Sequence, residues 1–283
     1  MRINSLSSSY NYPVYQQSFR GQIGQVKDIA HKVQCFGNTQ FFRGDLVWDK
    51  LAKFLDKHFA NAEKVTFINH VCSSGEEPYS VVMKLISDLG DRAKKFFPII
   101  ARDLSPNNIR NAQEGRIVAE DYEKRMIEAM TNNQSEKFVD IIQLGNNNLG
   151  NLNGINAVKT TMSKRYLIIP NNKIKDKIDF SVGNVLEDVK NLPEKNTVLF
   201  CRNVWQYLKR DEREYLISEI SKKFKDDSSI LFIGQADIDN SNLPFLLEKY
   251  NFKETEFPFA YVKSSEPNPI SKYLNLQNAV YLK

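Results

Sequence analysis

The sequence is poor in the residues that carry metal and redox chemistry. Among 283 residues, only three are cysteine and three are histidine. Cys35, Cys72 and Cys201 are an odd set at wide spacing, so they form neither a CxxC metal pair nor a disulfide framework. Buried, reduced thiols are the expectation. His31, His58 and His70 fit no HExxH pattern and no three-histidine set, so no metal is expected. No run approaches the ~20 apolar residues of a membrane helix, and no membrane insertion is expected. Residues Met1 to Tyr10 hold no apolar core of signal-peptide length, which makes the cytoplasm the default location. Charge of one sign is lacking too: 39 basic residues are interspersed with 34 acidic ones, for a net +5. That pattern reads as a mixed solvated surface, not as the dense basic face with stacking aromatics that nucleic acid requires. It is compatible with mild attraction to an acidic protein.

What is present is an ordinary globular composition, 41% hydrophobic and 26% charged, long enough for one large domain with or without an appendage. Residues 1–25 are rich in Ser, Asn, Gln and Tyr and read as a flexible tail. Residues 26–60 read as a short helical N-terminal segment, clearest where Leu46, Val47, Leu51, Phe54 and Leu55 share one face. Over 61–283 strands and helices alternate, as in a mostly parallel α/β sheet. The expected strands are Val65–Val71, Phe97–Asp103, Asn196–Cys201 and Ser229–Gly234, with Phe257–Lys263 and Asn278–Lys283 as a closing antiparallel pair. Ser105 and Pro106 read as the cap and first residue of one helix, and Arg210–Phe224 as another. Residues from about 138 to 180 break the rhythm with an Asn/Gly-rich stretch, Leu144–Gly154. With short strands at Ala157–Thr161 and Arg165–Ile169, they read as a small inserted β-subdomain.

The most informative stretch is Cys72-Ser-Ser-Gly-Glu-Glu-Pro-Tyr-Ser80, between a buried strand and a helix. Gly75 permits unusual dihedrals and close approach of a ligand, and Pro78 suits the first helical turn. The free amides of a helix start favour negative charge. The two glutamates either satisfy those amides or offer a carboxylate to a cationic ligand group.

Residues 75–80 resemble the Gly-Glu-Glu-Pro-Tyr-Ser signature of the chemoreceptor glutamate methyltransferase (CheR) family. Thr39-Gln-Phe-Phe-Arg43 is similar to that family's Thr-x-Phe-Phe-Arg motif, and Ala101-Arg-Asp103 to its ribose-binding strand end. Ala112-x-x-Gly115 is similar to a helix end, and Phe200-Cys-Arg-Asn-Val-Trp-Gln-Tyr207 to a further segment, all in family order. Two features differ. Some 38 residues precede Thr39, a truncated N-terminal domain by family standards, and Gly234-Gln-Ala-Asp237 stands where the family has Gly-His-Ser-Glu.

The resemblance implies a class I, Rossmann-like S-adenosylmethionine-dependent methyltransferase that releases S-adenosylhomocysteine. In an open α/β sheet such a ligand lies across the carboxyl ends of the strands. Asp103 is placed to accept from ribose hydroxyls, Asn184 and Val185 to face adenine, and Asn203 and Val204 to sit beneath the methionine portion. The family pattern adds Thr39, Arg43, Gly75 and Glu77 to the cofactor contacts, and puts Arg43 and Tyr207 beside the transferring methyl group. The implied acceptor is an acidic protein, such as the cytoplasmic domain of a chemoreceptor. A glutamate, with an unperturbed pKa near ~4.3, is already an ionised nucleophile and needs no general base. Two alternatives stay open: the same site acting on another acceptor, or a non-catalytic module that senses S-adenosylmethionine or its product.

Overall fold

The computed structural model describes residues 39–144 and 164–266. In chain order the elements are α1 (Trp48–His58), β1 (Thr66–His70), α2 (Glu76–Leu89), β2 (Ile99–Asp103), α3 (Pro106–Glu114), β3 (Ile117–Glu120) and α4 (Asp121–Met130). There follow β4 (Val139–Leu144), β5 (Arg165–Pro170), α5 (Asn172–Lys175), β6 (Ile178–Val182), α6 (Val185–Asp188) and β7 (Thr197–Cys201). The chain continues with α7 (Arg210–Lys223), β8 (Ile230–Phe232), α8 (Gln235–Asp239), α9 (Leu243–Lys249), β9 (Phe252–Glu254) and β10 (Ala260–Lys263).

Seven strands form one sheet in the order β6-β2-β1-β7-β8-β10-β9. The first five are parallel, and β10 and β9 close the edge antiparallel. Every residue of β7 is buried, as a central parallel strand with helices on both faces requires. Alternation along the strands divides the interior in two. Phe67, Phe200 and Phe232 stack on the face covered by α1 and α2, with ring centroids 5.0 and 4.5 Å apart. On the other face Ile68, Leu199 and Leu231 meet Leu216, Ile217 and Ile220 of α7. The capped helix expected at Ser105 is α3: Ser105 Oγ accepts from the Asn108 N–H at 3.3 Å and Gly115 ends it at φ 62°.

The closing pair differs from expectation. The partner of β10 is β9, and Asn278–Lys283 lies outside the described residues. The hairpin is set locally: the Thr255 N–H reaches Ala260 O at 2.8 Å, and Thr255 Oγ1 accepts from the Phe257 N–H at 3.1 Å. The small antiparallel sheet has the order β3-β5-β4, so it starts earlier than the expected 138. Residues 178–180, expected at the end of it, instead belong to β6 at the edge of the large sheet against β2. The stretch Ala157–Thr161 and the tail 1–25 are also outside the described residues.

Candidate active site

The carboxyl ends of β1, β2, β6 and β7 gather the predicted residues, and local backbone strain marks the place. Phe42, Val71, Ser73 and Asn203 all hold positive φ, at 49°, 61°, 52° and 59°. Each such residue costs about 1–3 kcal/mol, most for the β-branched Val71, and persists only where surrounding contacts fix it.

Gly75, φ 98°, begins α2. A Cβ there would meet Ala112 Cβ and Tyr79 Cε2 at 3.1 Å and Phe180 Cζ at 3.3 Å. Its bare side thus faces packed side chains, so besides the dihedral the glycine serves the closeness of α2 to α3 and β6. The two glutamates after it divide. Glu76 is buried and takes the Ser74 hydroxyl at 2.9 Å, whereas Glu77 turns to the strand ends.

Asp103 ties the turn to β2. Its Oδ2 accepts from the Ser73 N–H at 2.9 Å, and its Oδ1 from the Ser105 N–H at 2.9 Å and Asn108 Nδ2 at 3.1 Å. Burial raises its pKa, and these donors oppose the rise. A carboxylate offers about four lone-pair sites, so three bonds leave it capacity toward a hydroxyl. The Gly183 N–H donates to Asp103 O at 3.0 Å and brings the end of β6 alongside. There Asn184 Oδ1 caps α6 through the Leu186 N–H at 3.1 Å, and Val185 is buried under it. Val71, Leu104 and Val182 stay 38, 37 and 51% exposed at the ends of β1, β2 and β6, an apolar fringe suited to a flat ring.

A charged network joins the other residues. Glu77 Oε1 accepts from Asn69 Nδ2 at 2.8 Å and Glu77 Oε2 from Arg202 Nη1. Arg202, its side chain fully buried, also donates to Asp45 Oδ1 at 2.6 Å. Asp45 Oδ2 takes Asn203 Nδ2 at 3.2 Å and lies 3.6 Å from Arg43 Nε. Arg43, Glu77 and Asn203 are therefore brought together by two residues that motif reading did not select, Asp45 and Arg202. A charged residue just beyond an all-buried strand was the available signal for Arg202.

Asn203 is held from behind by Asp237, also not selected. Asp237 accepts from the N–H groups of Asn203 at 2.5 Å, Trp205 at 2.9 Å and Gly234 at 3.0 Å. Its burial pushes its pKa up to about 6 against those amides. A Cβ on Gly234 would stand 2.4 Å from Asn203 Oδ1, so the departure Gly234-Gln-Ala-Asp237 keeps the glycine this approach needs. Val204 is buried beneath the same loop, while Tyr207 points outward, 63% exposed and outside the network. Thr39 opens the described chain, half-buried.

Three polar atoms here are buried without a protein partner: Asn69 Oδ1, Arg202 Nε and Asn203 Oδ1. Two acceptors and a cationic donor complement the ammonium and carboxylate of a free amino-acid end, so the residues fit S-adenosylmethionine. No group of His, Cys, Asp and Glu suited to a metal occurs among the described residues.

Among solved structures, the chain is similar to a magnesium protoporphyrin IX methyltransferase from Synechocystis PCC 6803, with 14% identity, 86% of each chain covered and a TM-score of 0.34. That likeness is too low to bear on the site. Among curated proteins it is similar to a chemotaxis protein methyltransferase of Borreliella burgdorferi, 25% identical over 263 residues, covering 87% of this chain and 80% of the relative. It is also similar to one from Listeria monocytogenes, 26% identical over 199 residues, covering 69% of this chain but only 63% of the relative, less than two thirds of its length. The model of the CheR methyltransferase S-adenosylmethionine-binding domain matches residues 37–150 and 151–250. With that match spanning most of the sequence, the chain belongs to the CheR methyltransferase family, and S-adenosylmethionine is its cofactor.

Proposed function

We propose that this protein methylates side-chain carboxylates of glutamate on a protein acceptor of the chemoreceptor type. The single observation that carries the reading is the Arg43–Asp45–Arg202–Glu77 network, which ties the Phe-Phe-Arg segment to the cofactor platform. When bound, S-adenosylmethionine supplies a methyl group on a sulfonium, an intrinsically good leaving group. Glu77, Asn69 and Arg202 are suited to hold the amino-acid end, and Asp103 the ribose. Thr39, Gly75, Asn184, Val185, Asn203 and Val204 line the rest of the proposed site. Asp45 orients the Arg43 guanidinium, whose planar fork matches a carboxylate. Exposed Tyr207 faces the side from which an acceptor would come.

The titration of the surrounding groups supports a carboxylate acceptor. Burial pushes the Cys72 and Cys201 thiols up and the buried Tyr79 phenol up. Burial and the Glu123 and Glu120 charges raise the Tyr122 phenol as well, against the lowering effect of Arg43. Burial and the Arg102 charge lower His70 to about 4, so it stays neutral. Asp237 spends its oxygens on the backbone N–H groups of Gly234 and of the loop after β7. None of these is a general base poised beside Arg43, and an ionised carboxylate requires none. Positioning of the acceptor against the methyl carbon then carries the rate, a contribution of up to about 7–11 kcal/mol in ideal cases. The names of the curated relatives support a chemotaxis acceptor.

The test is incubation with tritiated S-adenosylmethionine and native cell extract. Protein label released by mild base as volatile methanol is the expected result. Base-stable label would mean nitrogen or carbon methylation and reject the carboxylate reading.

A further inference from the structure

A hollow of about 560 Å³ lies outside the site just described, lined by Arg210 and Arg213 of α7 and by Asn242 and Phe245 at the start of α9. Arg210 and Arg213 are three apart on a helix, so they share one side. No carboxylate lines the hollow. Of the acidic residues on α7, Glu212 Oε2 accepts the Lys209 N–H at 2.8 Å, and Glu214 pairs with Lys249 and Tyr250 while also feeling the Arg210 charge. Phe245 is 47% exposed although it is aromatic. Asn242 Oδ1, on the same wall, is buried with no hydrogen-bond partner. Two guanidinium groups and a wetted aromatic ring are the ingredients of a binding hot spot.

The hollow is close along the chain to Tyr207, placed above on the acceptor side of the proposed site. Tyr207 precedes Arg210 by three residues, and three residues span at most about 11 Å. A segment that presents a glutamate beside Tyr207 can therefore extend to Arg210. We propose that the hollow docks an acidic segment of the acceptor protein. Carboxylates flanking the methylated glutamate engage Arg210 and Arg213 through charge-assisted bonds, and an apolar side chain packs on Phe245. This inference rests on the carboxylate-transfer reading above. It assigns the acidic character of the acceptor to one surface and makes recognition separable from chemistry.

The experiment uses the full chain, tritiated S-adenosylmethionine and native extract protein at graded dilution as acceptor. Wild type is compared with the Arg210→Ala/Arg213→Ala double variant, with Phe245→Ala, and with Arg210→Lys/Arg213→Lys. S-adenosylhomocysteine affinity by calorimetry and thermal melting confirm that each variant is folded. The expected result is a half-saturating acceptor level raised about tenfold or more by the double alanine variant and severalfold by Phe245→Ala. The rate at saturation and the S-adenosylhomocysteine affinity stay within about twofold, and the lysine variant recovers part of the loss. Added salt should weaken wild type toward the double variant, because exposed charge pairs are screened. Base-labile label with unchanged half-saturation in both alanine variants would overturn the docking surface alone. Tight S-adenosylhomocysteine binding with no base-labile label from wild type would overturn the carboxylate reading, and the docking surface with it.

Discussion

Two charged clusters sit at the same strand ends but on opposite faces of the sheet. On one face Arg202 lies between Asp45 and Glu77, with Asn69 and Asn203 completing the set. On the other, His70 Nδ1 stands 3.9 Å from Asp188 Oδ2, beyond hydrogen-bond range, and Arg102 donates instead to Ser181. Asn69 and His70 are neighbours in β1, and strand alternation alone sends one to each face. The first cluster is matched charge to charge. In the second, burial keeps His70 neutral and leaves Asp188 Oδ2 without a hydrogen bond. Direct ion pairing of Arg202 with two carboxylates on one face, and the lack of a hydrogen bond to Asp188 Oδ2 on the other, separate a built site from a tolerated residue of packing.

That contrast is testable. The largest effect is expected from Arg202→Met, which strands two carboxylates: a loss of about 3–5 kcal/mol in denaturant unfolding. Arg102→Met should cost less than half as much, and equal losses would erase the distinction between the clusters. Next, His70 should make stability depend on pH. Its folded pKa of about 4 lies below the ordinary 6.5, so the unfolded chain binds the proton first. The stability it contributes is complete above pH ~6.5 and is lost as pH falls through ~4, up to about 3 kcal/mol. His70→Gln should flatten the melting temperature across that window, and an unchanged slope would assign the dependence elsewhere.

Smaller in energy but nearer the chemistry, Arg43→Ala should slow methyl transfer about 100-fold, as a misplaced reactant does. Its S-adenosylhomocysteine affinity should change less than about threefold; equal losses would make Arg43 a cofactor anchor only. The smallest expected effect is that of Asp103→Ala, a roughly tenfold loss of S-adenosylhomocysteine affinity, near 1.4 kcal/mol. Calorimetry showing unchanged affinity would remove Asp103 from the ribose position.

Much of the frame was legible because it is encoded locally. The core of each expected parallel strand is present, shorter by one to three residues at its ends, where the chain already turns: Phe97–Asp103 became Ile99–Asp103 and Ser229–Gly234 became Ile230–Phe232. Ser105 caps its helix through a bond three residues away. The small sheet was harder, because Ile117–Glu120 is a four-residue strand whose pairing with Arg165–Pro170 no local pattern announces. The hairpin of β9 and β10 was missed for a related reason: a three-residue strand carries too little alternation to be recognised.

The sequence by itself determined the strand–turn–helix platform, the parallel sheet and the type of ligand that its motifs resemble. Periodicity, caps and glycine dihedrals act over a few residues, and short-range order suffices to read them. Only the tertiary structure decided that Asp45 meets Arg202, 157 residues away, and that Asp237 clasps the loop bearing Asn203 from the next strand end. It also decided that Gly75 leaves room for Ala112 and Phe180. Such pairings depend on which strand ends the sheet sets side by side, and buried charges are stable only where that arrangement supplies their partners.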